Sequence, residues 1–338
     1  MNNNTYIKNE NEIFKFLNPT DNDILYNLKG KDLQNLFTLI NNYYLDTREI
    51  LNIDKDITFG IEIECEHTDR DLITQKINES LPDAYWSVKS DGSLDKGAEI
   101  ISPVLTDTKE NWINMKKVCS IIEPLAEIND NSGGHVHIGT PILGNDIRSY
   151  INFLKLWSTY ENVLFKFTYG NFGTHRPRIV KHAAPISNLF WKCSQKYKNA
   201  EIPDILREIN IERYHAVNFK NAYNREKYDI HNTIEFRCPN GTLKSAIWQN
   251  NINTFVKLLN YAKSNNFDND MIEKRHKENE NIYEDLAFYN EFYIDQVLEL
   301  CDTIFDNNLD KIYFLRQYLK SFETNIEYKV LNKQITRD

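Results

Sequence analysis

Apolar residues recur along this chain in two rhythms, and each predicts its own element. A period of two, the mark of a strand with one buried face, runs through 59–66 (FGIEIECE), 98–102 (AEIIS), 135–138 (HVHI) and 233–238 (TIEFRC). The stretches 85–89 and 213–219 (RYHAVNF) read as further strands, and Asp91-Gly92 after the first of them is a hairpin-turn signal. A period of 3.6 predicts helices over 72–81, closed by Pro82, and over 109–125, 146–167 and 245–262. The clearest is 146–167, where Ile147, Tyr150, Ile151, Leu154, Trp157, Leu164 and Phe165 share a stripe. Glu161 falls in line with that stripe, either at its boundary or aimed at a site. Before the first strand, 21–51 predicts two short amphipathic helices broken near Gly30, and residues 1–20 are polar with little periodicity. At the other end, 264–281 is polar and charged and predicts a mobile connection. Further amphipathic helices follow over 283–323, with a frayed tail.

Four of the strands share one oddity: they are apolar on one face and ionisable on the other. On the first, Ile61, Ile63 and Cys65 alternate with Glu62, Glu64 and Glu66. The later ones add Glu99, His135, His137, Glu235 and Arg237. A solvated strand face also alternates, and a lone HxH is also a hydrogen-bonded surface pair. Repetition on four strands, beside Gly133-Gly134 where a backbone can approach something closely, points instead to one shared site. Residues two apart on a strand stand roughly 6.6–6.8 Å from each other. Carboxylates at that spacing repel unless a cation lies between or beside them. Carboxylates with imidazole and without thiolate suit Mg²⁺ or Mn²⁺ better than a structural zinc.

Composition narrows the classes. The 338 residues, 41% hydrophobic and 26% charged, form a globular chain with room for one large domain or two ordinary ones. A net charge of −9 with no Lys/Arg stripe argues against a nucleic-acid partner. The loop-like stretch 170–190 is basic (His175, Arg176, Arg178, Lys181, His182), and is either a solvated loop or one that faces an anionic ligand. Five scattered cysteines without a CxxC pair indicate neither a disulfide framework nor a zinc site. They read as reduced thiols of a cytoplasmic protein. The first residues lack the basic start and apolar run of a secretory signal. No stretch approaches the ~18 apolar residues of a membrane span.

The ordered set GIEIE, DGS…EIIS, SGGHVHIG, RYHAVNF and TIEFRCPNGTL resembles the glutamine synthetase and glutamate–cysteine ligase superfamily of carboxylate–amine ligases, most closely its amidoligase branch. The likeness covers roughly residues 58–260. It implies an α+β fold: a curved antiparallel sheet of glutamine synthetase type, helices packed on its convex side, and helical N- and C-terminal extensions. The expected parts are an extension over 1–57, a catalytic domain over 58–262 and a helical region over 263–338 packed on it. The resemblance also assigns residues. Glu62, Glu64, Glu99, His135 and Glu235 match its metal ligands, Glu99 less closely, with Mg²⁺ or Mn²⁺ and ATP as the bound species. Arg237 matches the arginine that meets phosphate; His137 positions phosphate or substrate; Arg213 and Asn218 contact nucleotide or substrate. The chain departs from the pattern in lacking a recognisable adenine pocket and the full set of carboxylates. The implied activity is ATP-dependent amide-bond formation through an acyl phosphate, on an amino-acid, peptide or protein carboxylate and an amine, and a homo-oligomer is compatible with it. The alternatives are a phosphotransferase on the same fold, a metal-dependent hydrolase, or a binding protein that keeps the shell.

Overall fold

The computed structural model describes residues 28–319 apart from 93, 95, 169–178, 194–212, 224–231 and 283–291, together with Ile13 and Leu25. Six strands form one open antiparallel sheet: β1 Phe59–Cys65, β2 Ser87–Lys89, β3 Ala98–Ile101, β4 Gly134–Gly139, β5 Val217–Asn218 and β6 Thr233–Phe236. Their spatial order is β2-β3-β1-β4-β6-β5, so β1 and β4 lie at the centre. The expected antiparallel sheet is therefore present. The Asp91-Gly92 signal is only half right. β2 and β3 do pair, with Lys89 opposite Glu99, but residues 90–97 connect them instead of a two-residue turn. The strand expected over 213–219 shrinks to β5.

The helices are α1 Gly30–Asn41, α2 Arg70–Ser80, α3 Lys109–Ile122, α4 Ile147–Thr159, α5 Glu161–Thr168, α6 Ile179–His182, α7 Ser187–Cys193, α8 Lys220–Tyr223, α9 Ser245–Lys263, α10 Asn269–Asn279, α11 Ile294–Ile304 and α12 Asn308–Tyr318. Side-chain caps start several of them. Asp69 accepts the Asp71 and Leu72 amides before α2, Thr108 accepts Asn111 before α3, and Asn307 accepts Asp310 before α12. Of the two short helices expected over 21–51, the second is α1, beginning at Gly30 with φ 55°. The first, like the polar start, the frayed tail, His175, Arg176 and Arg178, lies outside the described residues, Leu25 and Leu28 excepted.

Two expectations for the helices fail. The long helix over 146–167 is two, because the chain leaves helical geometry at Tyr160 (φ −107°, ψ 20°) and starts again at Glu161. The mobile connection over 264–281 holds α10. That helix offers the core a single fully buried apolar side chain, Ile272, which is too little for a periodicity argument. Polar contacts fasten it instead. Lys155 Nζ donates to Asn269 Oδ1 at 2.6 Å and Glu273 Oε1 at 2.8 Å, and buried Asn279 donates to the Thr159 carbonyl at 2.9 Å.

The apolar face of the sheet, Ile61, Ile63, Ile100, Val136, Ile138, Ile234 and Phe236, is fully shielded from water. Helices cover it. Phe236 stacks on Phe255 of α9 at 4.1 Å and meets Phe153 and Trp157 of α4; Phe59 stacks on Trp112 of α3 at 5.2 Å. Burying a side chain the size of Phe236 contributes about 2–3 kcal/mol. This face fixes the register, since a slip of one residue would turn every strand over. The C-terminal α11 and α12 pack on α9, α12 also on α1, and all belong to the same hydrophobic cluster as the sheet. Asp107 ties the segment before β1 to α3 by accepting the Leu51 amide at 2.8 Å and the Trp112 indole at 2.7 Å. Among the described residues no helix is long and apolar enough to cross a membrane.

Candidate metal- and substrate-binding face

With the apolar residues of β1, β3, β4 and β6 turned to the helices, the alternate residues must share the other face. Strand register then decides which of them meet. Glu62 lies opposite His135, Glu64 opposite Glu99, and His137 opposite Glu235, which in turn faces Asn218. These partners are 17 to 98 positions apart in the chain, and the sheet brings them into one patch.

Glu62 is the hub. His135 Nδ1 lies 2.6 Å from its Oε2, a hydrogen bond, and His137 Nε2 lies 3.1 Å from its Oε1. The second approach is off-line for a hydrogen bond, so charge attraction dominates there. Burial disfavours the Glu62 carboxylate, but the two imidazoles outweigh it and hold the group well below the usual carboxylate range. Burial likewise opposes a charge on His137, yet Glu62 beside it raises the imidazole above its ordinary value. His135 also approaches Glu64 and Glu235, each at 3.6 Å.

Glu64 and Glu235 are 7% and 6% exposed, and each has a donor built for it. The Gly133 amide donates to Glu64 Oε2 at 2.5 Å. Asn218 Nδ2 donates to Glu235 Oε2 at 2.6 Å, and Arg237 Nη1 donates to Glu235 Oε1. Burial pushes Glu235 up, but His135, Arg237 and His137 outweigh it, leaving its carboxyl below the ordinary value. Glu99 is different. Burial first, and then the Glu62 carboxylate beside it, push its carboxyl up to about 7.

The Gly-Gly pair does permit a close approach, but to the protein itself. A Cβ on Gly134 would sit 2.1 Å from the Trp248 ring of α9. A Cβ on Gly241, in the loop after β6, would sit 2.8 Å from the Gly133 carbonyl oxygen and 2.9 Å from that of Glu64. These contacts hold the ends of β1, β4 and β6 together beneath the polar face.

Three groups of residues can each bring one ligand atom per residue within 4.8 Å of one another: Glu62, His137 and Glu235; Glu62, Glu99 and His135; Glu64, Asp91 and Glu99. All five expected metal ligands occur in these groups. The donors are carboxylate oxygens and imidazoles, while Cys65 is buried with the apolar residues of β1. That set fits a hard divalent cation.

Other expected residues stand elsewhere or act differently. Arg237 is 90% buried on its side chain, tied to Glu235 and, through Nε, to the His182 carbonyl at 3.3 Å. Asn218, expected to contact nucleotide or substrate, hydrogen-bonds at both ends of its amide, to Glu235 and to the Lys220 amide at 2.9 Å. Arg213 is exposed before β5, its guanidinium 6.0 Å from the Tyr214 ring centroid. No contact among the described residues joins it to the cluster. Glu66, immediately after β1, is buried and accepts a hydrogen bond from Asn129.

Glu161 is neither a boundary residue nor part of the face. It is fully buried and gathers the Ile186 and Ser187 amides and the Trp157 indole at 2.8–2.9 Å, together with the Ser187 hydroxyl. Sequence reasoning missed Asp91, whose only signal was its place in a turn, and Thr233, whose Oγ1 lies 3.4 Å from His137 Nδ1.

Comparison with known proteins bears on the same segment. A family model described as "putative amidoligase enzyme" matches residues 81–259, taking in Glu99, His135, His137, Asn218, Glu235 and Arg237 and beginning after β1. No curated protein matches the chain.

Proposed function

The chain belongs to the amidoligase family, whose model spans just over half of its 338 residues, and on that premise we propose that it is an ATP-dependent carboxylate–amine ligase working through an acyl phosphate on a glutamine synthetase-type sheet. The observation that carries this reading is the convergence of Glu62, Glu64, Glu99 and Glu235 with His135 and His137 on one sheet face. Phosphoryl transfer asks a protein mainly for positioning and charge neutralisation, and this face supplies both. No protein nucleophile is needed.

In the proposed reaction a substrate carboxylate oxygen takes the γ-phosphoryl group of ATP and ADP leaves. The amine nitrogen then attacks the acyl carbon, phosphate departs with the former carboxylate oxygen, and the nitrogen gives up a proton. Glu62, Glu64, Glu99, Glu235 and His135 would hold Mg²⁺ or Mn²⁺, which when bound screens the negative charge of the phosphates. Arg237 lends its positive charge to the same face. His137, 3.1 Å from Glu62 Oε1, positions phosphate or carboxylate oxygens when protonated and, when neutral, can join Glu62 and Glu235 in holding the ion.

The test is a thermal shift of the purified protein with Mg²⁺ or Mn²⁺, with and without a non-hydrolysable ATP analogue. A ligand at 100 times its dissociation constant adds about 2.7 kcal/mol of stability. A metal-dependent rise with nucleotide, absent in Glu62→Ala, is expected. A rise with metal alone would replace the reading with a metal-dependent hydrolase, and no rise in any mixture would overturn it. ADP release without amide formation would turn it into a phosphotransferase.

A further inference from the structure

Glu235, like Glu62, has a separate partner on each oxygen, but here neither partner is a histidine. Oε1 belongs to Arg237, two residues on and just past the end of β6, and Oε2 belongs to Asn218, directly across the sheet on β5. The Asn218 amide has one way to point. The Lys220 backbone N–H can only donate, so it takes Oδ1 at 2.9 Å, and Nδ2 is left to face Glu235 at 2.6 Å. Asn218 is 4% exposed, and the backbone on either side of it is anchored by Val217 and Phe219, both fully buried. Phe219 packs on Phe153 of α4 with ring centroids 6.1 Å apart. The donor is thus rigid, oriented and delivered by an edge strand of only two residues.

We propose that Asn218 is a positioning residue that fixes the rotation of the Glu235 carboxylate, and so sets the affinity of the Glu62, His137 and Glu235 group for a divalent cation. With Oε2 turned to Asn218 and Oε1 to Arg237, the carboxylate plane cannot swing, and a Glu235 oxygen is kept within 4.8 Å of ligand atoms of Glu62 and His137. A residue holding a ligating carboxylate in this way commonly affects metal affinity 10–100-fold, by about that factor when removed. The inference rests on the metal-binding reading above, and it gives the two-residue β5 a purpose that its length alone does not explain.

Calorimetric titration of Mn²⁺ into three proteins tests it: wild type, Asn218→Ala and Lys220→Pro. Lys220 opens α8, where proline is accommodated, so Lys220→Pro removes only the fold-side contact of Asn218 and leaves its donor to Glu235. Asn218→Ala should bind Mn²⁺ about 10–100-fold more weakly, with an altered electron paramagnetic resonance spectrum of the bound ion at saturation. Lys220→Pro should stay within about threefold of wild type. If Asn218→Ala does not fold, Asn218→Thr takes its place with the same expectation, since its hydroxyl can accept the Lys220 amide but is too short to reach Glu235. Equal affinity in wild type and the Asn218 variant would overturn the inference alone. Equal weakening in the Asn218 and Lys220 variants would reduce Asn218 to a turn cap and overturn it as well. Wild type that binds no Mn²⁺ would instead remove the metal-binding reading on which it stands.

Discussion

At the β6–β5 end of the polar face a carboxylate is clamped, and at the β1–β3 end carboxylates are crowded. Glu235 has Asn218 on one oxygen and Arg237 on the other, and its carboxyl lies below its ordinary value. Glu99 accepts no hydrogen bond from an N–H or hydroxyl among the described residues, faces Glu62 and Glu64, and is pushed up to about 7. Both ends carry the same residue type on the same sheet. The difference teaches that the protein pairs one half of the face within the fold and leaves carboxylates facing each other in the other half. Charge pairing makes the first half rigid; on the metal-binding reading proposed above, a cation would relieve the repulsion in the second.

Removing a charge should therefore have opposite effects at the two ends. Glu235→Gln should destabilise the metal-free protein by about 3 kcal/mol in denaturant unfolding, because a buried pair loses one partner and an amide N–H is turned toward Arg237 or Asn218. A gain in stability would break the comparison. Glu161 provides the intermediate case, a buried carboxyl with several donors and, among the described residues, no cationic partner. Burial raises it to about 7 against an ordinary 4.5. The Ser187 hydroxyl, 2.8 Å from the Ser158 carbonyl, can donate there while accepting the proton of a neutral Glu161. The fold thus binds this proton more tightly than the unfolded chain does. Its contribution is fully present below about pH 4.5, is lost as pH rises to about 7, and amounts to at most about 3 kcal/mol. Unfolding free energies measured across that window should fall with rising pH, and Glu161→Gln should flatten that part of the curve. The smallest effect belongs to the crowded end. Glu99→Gln should stabilise the metal-free protein by about 1 kcal/mol, since solvent screens this half-buried group, and it should weaken Mn²⁺ binding at the same time. Loss of stability in Glu99→Gln would show that Glu99 has a partner of its own.

Much of the face was legible in the chain because a strand declares its two sides locally. Alternation placed Glu62, Glu64, Glu99, His135, His137 and Glu235 away from the apolar residues, and the sheet keeps them there. What alternation cannot express is the neighbour across the sheet. Asn218 read as a ligand contact because its partner, Glu235, lies 17 residues away and becomes adjacent only through the β5–β6 register. Asp91 was hidden for the same reason, its carboxylate reaching Glu64 and Glu99 from a connection that reads as a turn.

The helices divide along a similar line. α3 and α9 were readable from their apolar stripes, whereas α10 was not, since its hold on the protein comes from Lys155, Glu273 and Asn279. The break at Tyr160 was equally hidden, because the apolar stripe continues through it from α4 into α5. By itself the sequence determined which side chains go to water and which to the core, strand by strand and turn by turn. That choice follows from period and solvation, which are properties of neighbouring residues. Only the tertiary structure decided which acid has a donor, which acid faces another acid, and which polar helix is held in place. Those outcomes depend on distances between residues far apart in the chain, and electrostatic energy varies with distance and burial, not with order along the chain.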